Sequence, residues 1–169
     1  MLAGAPVAAA PAIRVAIPDD EDAILELWIG LLTYHRSIED VWPRRWTGPR
    51  QTWPERLREY LRAVWRDPER QAVFVALRDK QIVGFVRVGL HDDGPLPAHI
   101  ETLFVAEEHR GAGVARALVD AAERWCLDRG VDEVSVEFIA ANAAAQRTYE
   151  RLGYHPFLVT YMRRLRESP

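Results

Sequence analysis

At 169 residues, 49% of them apolar and 28% charged, the chain has the size and usage of one ordinary globular domain, able to hide about 70% of the surface its unfolded form exposes. Disordered, collagen-like and low-complexity classes drop out on composition. A net charge of −3 and a pI near 6.0 lack the basic signature of a protein that lives on nucleic acid or an anionic membrane; the single cysteine, Cys126, permits neither an internal disulfide nor a cysteine-built metal site and suits a reducing compartment such as the cytoplasm.

Residues 1–12 are rich in Ala and Pro and carry no Lys or Arg ahead of their apolar stretch, so they read as a flexible tail rather than a secretory leader. No run approaches the roughly 18 apolar residues a membrane span requires. Ile13–Ile17 alternates and is β-branched, a strand, and Pro18-Asp19-Asp20-Glu21 then opens a helix with Ile24, Leu27, Trp28 and Leu31 on one face. Between His35 and Gln51 the pattern lapses into a long loop containing Trp42-Pro43 and Thr47-Gly48-Pro49. Thr52 with Glu55 three residues on predicts a capping box, followed by a helix whose apolar stripe is Trp53, Leu57, Tyr60, Leu61, Val64 and Trp65.

The period then switches to that of strands. Ala72–Leu77 and Ile82–Leu90, joined by Arg78-Asp79-Lys80, predict an antiparallel hairpin, and Ile100–Val105 a further strand after the loop that holds His91. A glycine pair, Gly111 and Gly113, opens a helix that turns Val114, Leu118, Ala121, Ala122 and Trp125 inward and closes at Gly130. Val134–Phe138 predicts a strand, Asn142–Leu152 a helix stopped by Gly153, and Tyr154–Met162 a last strand. The expected product is a single mixed α/β domain over residues 13–166, of order β-α-α-β-β-β-α-β-α-β.

The glycine turn between a strand and a helix is where phosphate binds. Glycine admits left-handed backbone, and the first helical N–H groups lack internal acceptors, so donors and the positive dipole end converge on an anion. Arg110 adds a full charge at the rim. A Walker A loop is excluded because Val114-Ala115 follows Gly113 where Lys-Ser/Thr is needed, and a dinucleotide fingerprint is poor because Arg116 stands where a small residue belongs. What fits is Arg-x-x-Gly-x-Ala, from Arg110 through Gly113 to Ala115.

With that motif, the strand Ile100-Glu-Thr-Leu-Phe-Val105 and the helix Asn142–Gly153, the chain resembles the GCN5-related N-acetyltransferase (GNAT) family from about Ile13 to Leu165. The resemblance implies acetyl-CoA as donor. Its pantetheine arm would lie along Leu103, Phe104 and Val105, its pyrophosphate on Arg110 and the amides of Gly111, Ala112, Gly113, Val114 and Ala115, and Asn142 would meet the pantetheine chain. It also implies that Leu103 N–H meets the thioester carbonyl and that Tyr149 protonates the departing thiolate. Asn142 and Tyr149, seven apart, return to within about 20° of one helix face. The other reading of Asn142 is a helix N-cap.

Glu101 is the expected base, acting directly or through water: it precedes Leu103 by two, which on a regular strand puts the two on one face. His35 and His91 could substitute. The acceptor is an amine of a small molecule or peptide. Two other readings compete with catalysis. One is an acyl-CoA-binding sensor of the same fold. The other is an RNA- or anion-binding module built on Arg44–Arg66, whose seven arginines against Glu55 and Glu59 give a local charge of +5 while the rest of the chain carries −8. Tryptophans on the stripe and arginines opposite make core plus solvated face the plainer account of that stretch. Homodimerisation at the sheet edge is also open.

Overall fold

The computed structural model of the chain describes residues 10–38, 52–93 and 96–163. Strand β1 (Ala12–Val15) leads through a 3-10 turn (Pro18–Asp20) into helix α1 (Glu21–Ile38); α2 (Trp53–Arg66), β2 (Gln71–Arg78), β3 (Gln81–Leu90), β4 (Ala98–Val105), α3 (Val114–Leu127), β5 (Val134–Val136) and α4 (Ala143–Leu152) follow. The five strands form one sheet in chain order, antiparallel except for the parallel pair β4–β5.

Each face of the sheet buries a different set of helices, which the alternation of the strands dictates. Val83, Val86, Val88, Ile100 and Val105 point toward α3 and meet Val114, Leu118, Val119, Ala122 and Trp125. Val73, Val75 and Phe85 point the other way, against Ile24, Leu25, Trp28 and Leu31 of α1 and Leu57 and Leu61 of α2. Ile24, Leu61, Phe85 and Leu118 are fully buried, each contributing about 1.5–3 kcal/mol from the apolar surface removed from water.

Several expectations are corrected. Helix α1 runs on to Ile38, so His35 lies in its last turn and not in a loop; residues 39–51 of the expected loop fall outside the described residues. Thr52 precedes α2 but makes no side-chain capping hydrogen bond, because its backbone is already helical rather than extended. Leu27 gives way to Leu25 among the fully packed residues, and Tyr60 stands half exposed at the edge of its stripe. The strand expected over Tyr154–Met162 does not form: residues 154–163 carry no strand, and Phe157, Leu158, Val159 and Tyr161 are exposed. β-propensity alone does not make a strand. It needs a free neighbouring edge, and β5 offers three residues, while Pro156 supplies no N–H to a ladder.

Candidate functional site

The centre of the site is an irregularity in β4. Arg87 pairs with Thr102 and Val88 with Ile100, which leaves Glu101 as the extra residue of a β-bulge. On the other side β4 pairs with β5 only at Ala98, His99 and Ile100. The two strands then part, so that among the described residues the outer edge of β4 from Glu101 through Leu103 and Phe104 to Val105 has no strand beside it. Backbone groups on such an edge are free to bond a ligand that carries amides.

The bulge corrects the expected relation of Glu101 to Leu103. An inserted residue breaks the two-residue alternation: Leu103 packs with the α3-side core, whereas Glu101 pairs with Arg87, which lies under Tyr60 on the α2 side. The Glu101 carboxylate also lies beside Gly89 and 3.4 Å from His91 Nε2. Leu103 faces Val86, three residues up β3 from Gly89, so the carboxylate sits about 10 Å along the sheet from Leu103.

Beyond the end of β4, Gly111 and Gly113 both adopt left-handed backbone, φ 74° and 79°, and an added Cβ at either would meet nothing within 4 Å. Gly113 is the residue preceding α3, and the first backbone bond back to it comes from Ala117 N–H to the Gly113 carbonyl, 3.1 Å. The N–H groups of Val114, Ala115 and Arg116 are therefore the donors a helix leaves unmatched at its start. Arg110 does not extend over this turn. Its Nε donates to the Val105 carbonyl, 3.0 Å, and its guanidinium lies over the rings of Tyr34 and Phe104, 5.6 and 5.5 Å from their centroids.

Tyr34, at the end of α1, also donates to Asn142 Oδ1, 3.4 Å, and so links the Arg110 corner to α4. No local pattern marks Tyr34; its partner lies 108 residues away. Asn142 is buried and caps α4, its Oδ1 accepting from Ala145 N–H at 3.0 Å. Two turns on, Tyr149 is buried between Phe138, stacked at 5.8 Å, and Tyr154, edge-on at 5.6 Å. Burial pushes the Tyr149 phenol well above its ordinary pKa, which keeps it protonated at neutral pH.

The histidines differ. Burial pushes His35, in the last turn of α1, down to about 4, so it is neutral at physiological pH. His91 is half exposed and, with Arg70, Leu90, Asp92 and Asp93, lines an open hollow of about 440 Å³. His99, which sequence reasoning passed over, sits 6.2 Å from the His91 ring, its Nδ1 2.9 Å from Ser135 Oγ. Since that hydroxyl donates its one proton to the Ala98 carbonyl, His99 carries its hydrogen on Nδ1 and donates to the serine. Among the described residues no cluster of His, Cys, Asp and Glu could hold a metal ion.

An elongated ligand with amides at one end and a phosphate anion at the other matches a strand edge that leads to a left-handed turn and the unmatched first amides of a helix. The model of the acetyltransferase (GNAT) family matches residues 36–154. The chain belongs to the GNAT acetyltransferase family. Mycothiol acetyltransferase of Thermobispora bispora is 35% identical over 115 residues, 65% of this chain and 38% of that protein; N-alpha-acetyltransferase 30 of Schizosaccharomyces pombe is 35% identical over 83 residues, 48% of this chain and 55% of that one. The chain thus spans less than two thirds of these curated relatives. Aminoglycoside N-acetyltransferase AAC(6')-Iy in complex with CoA superposes with a TM-score of 0.70 at 23% identity, covering 95% of this chain and 99% of that one, which supports the GNAT fold.

Proposed function

We propose that this GNAT chain is a cytoplasmic enzyme that transfers the acetyl group of acetyl-CoA to an amine of a small molecule or peptide, the amine attacking the thioester directly. The observation that carries the reading is the continuity of β4's outer edge, left without a partner strand after Ile100 among the described residues, with the left-handed glycine turn at the start of α3. Acetyl-CoA supplies an activated acyl group, a thiolate leaving group, an amide-bearing arm and a diphosphate. Leu103, Phe104 and Val105 would pair with the arm, Leu103 N–H would hold the thioester carbonyl, and the amides of Gly111 to Ala115 would hold the diphosphate. Asn142 keeps Nδ2 for the arm, since only its oxygen is used in capping.

An alkylamine of pKa about 10.4 must lose a proton, at a cost of about 4–5 kcal/mol at pH 7. Glu101 takes it. At some 10 Å from Leu103 it acts through bridging water rather than by direct contact, and His91 stands behind it toward solvent. Tyr149 serves the leaving side. Its raised pKa makes full proton transfer to a thiolate of pKa about 8.5 uphill, so it acts as an acid by hydrogen-bonding the sulfur while charge develops.

One competing reading loses ground. Of the arginines that suggested an anion-binding surface, Arg58 pairs with Glu21 and Asp22, Arg62 with Glu21 and Arg66 with Glu59, so their charge is spent within the molecule; Arg44, Arg45 and Arg50 lie outside the described residues. A non-catalytic sensor would bind CoA without releasing thiol, which separates it from an enzyme in the assay. The test is calorimetric binding of CoA followed by thiol release from acetyl-CoA over a panel of polyamines, aminoglycosides, amino acids and peptide N-termini. Binding with amine-dependent thiol release is expected, Gly113→Val should abolish both, and absence of CoA binding in the unaltered protein refutes the proposal.

A further inference from the structure

The peptide that joins Ala112 to Gly113 is gripped from behind by a side chain of β2. Arg78 Nη2 donates to the Ala112 carbonyl at 3.3 Å. Its position is set by a two-residue hairpin: Asp79 and Lys80 both take left-handed backbone, φ 48° and 68°, and Arg78 pairs with Gln81 across the turn. A trans peptide is planar, so its C=O and N–H point in opposite directions. With the Ala112 carbonyl drawn toward Arg78, the Gly113 N–H faces away from the hairpin. Glycine at 113 admits either sign of φ, so nothing in its own backbone prevents that peptide from turning over and presenting its oxygen outward.

Arg78 is also short of partners. Its Nε is buried without a hydrogen bond, and among the described residues no carboxylate reaches the ion-pair distance at which the chain's other paired arginines are held. A guanidinium beside a ring of outward amides, with one donor idle and no counter-charge, is completed by an anion. We infer that Arg78 is a positioning residue for the diphosphate of the donor: it holds the Ala112 carbonyl back, keeps the Gly113 N–H turned away from the hairpin, and lends its uncompensated charge from beneath. Without it the turn can offer the diphosphate a carbonyl oxygen where an amide belongs. This rests on assigning the turn at 110–115 to the diphosphate of acetyl-CoA.

The test compares two donors, acetyl-CoA and S-acetylpantetheine, which keeps the thioester and arm but has no diphosphate. Arg78→Ala should weaken CoA binding in calorimetry, and raise the acetyl-CoA KM, by about 10- to 100-fold with kcat unchanged, while kcat/KM for S-acetylpantetheine stays within about twofold. Arg78→Lys, which keeps the charge without the fork, should recover part of the loss. Should the alanine variant fail to fold, Arg78→Gln carries the same comparison. CoA affinity within twofold of the unaltered protein overturns the inference, as does an equal loss with both donors, the mark of a merely structural residue. If the unaltered protein binds CoA no more tightly than pantetheine, the assignment of the turn to the diphosphate fails.

Discussion

The carboxylate of Glu101 lies against the backbone of Gly89: a Cβ built at 89 would come 2.7 Å from Glu101 Oε1 and 3.4 Å from His91 Nε2. A glycine in the interior of a strand weakens it, and here its missing side chain is the space in which a carboxylate and an imidazole meet. Gly89→Ala should push the flexible end of Glu101 aside and leave the fold standing, with acetyl-CoA binding unchanged. The rate with a saturating donor should fall about tenfold if Glu101 receives the amine's proton. Steady-state kinetics on the variant decide it, and an undiminished rate removes Glu101 from the chemistry.

Tyr149→Phe deletes one oxygen from a ring packed between Phe138 and Tyr154 and so leaves that packing intact. Turnover should drop about 10²-fold while CoA affinity moves by no more than a few fold, the separation expected of a group that serves the leaving thiolate rather than the bound donor. Paired kcat and calorimetric measurements test it; equal falls in affinity and turnover would make Tyr149 a binding residue instead.

Arg87 and Glu101 form an ion pair whose side chains are 11% and 20% exposed, with a second Arg87 bond to Gln71 Oε1 at 2.6 Å. Removing one partner leaves the other poorly solvated and uncompensated. Arg87→Met should cost about 3 kcal/mol of stability, and adding Glu101→Leu should restore most of it, since the burial penalty leaves with the charge. Urea unfolding of the two variants provides the check, with simple additivity as the contrary result.

Asp20 accepts from both terminal nitrogens of Arg14, at 2.6 and 2.8 Å, and from Ile17 N–H at 2.9 Å. The Arg14 bonds, chiefly, hold its carboxyl below the usual carboxylate pKa. A folded-state value below the unfolded one stabilises the fold at pH above the unfolded value of about 3.9, and that contribution disappears as pH falls through the folded value. Asp20→Asn should therefore cost about 1–2 kcal/mol at pH 7, a figure reduced because Arg14 is partly exposed, and the gap to the unaltered protein should close below about pH 4. Unfolding midpoints at pH 7 and pH 3 measure it; a gap of constant size contradicts the assignment.

What was legible in the sequence were features whose cause is local. The left-handed turn at Gly111 and Gly113 follows from residue type, and the inward face of α3 from the 3.6-residue spacing of Val114, Leu118, Ala122 and Trp125. The faces of Glu101 and Leu103 are not legible in the sequence because a bulge is a property of two strands: alternation along β4 is regular until its pairing with Arg87 and Val88 inserts a residue. Tyr34 and Arg78 reach their partners across the fold, and no spacing within either segment announces that. The missing strand after α4 failed for the complementary reason, since apolar β-formers such as Phe157 and Val159 cannot pair without a neighbour long enough to receive them.

At Gly113 there is room for a side chain but the wrong handedness for one made of an L-amino acid. A mirror-image residue favours that positive dihedral. Protein assembled by chemical ligation with D-alanine at this site should stiffen the turn in its working shape, whereas the L-enantiomer, identical in volume, should distort it; the constraint here is stereochemical rather than one of crowding.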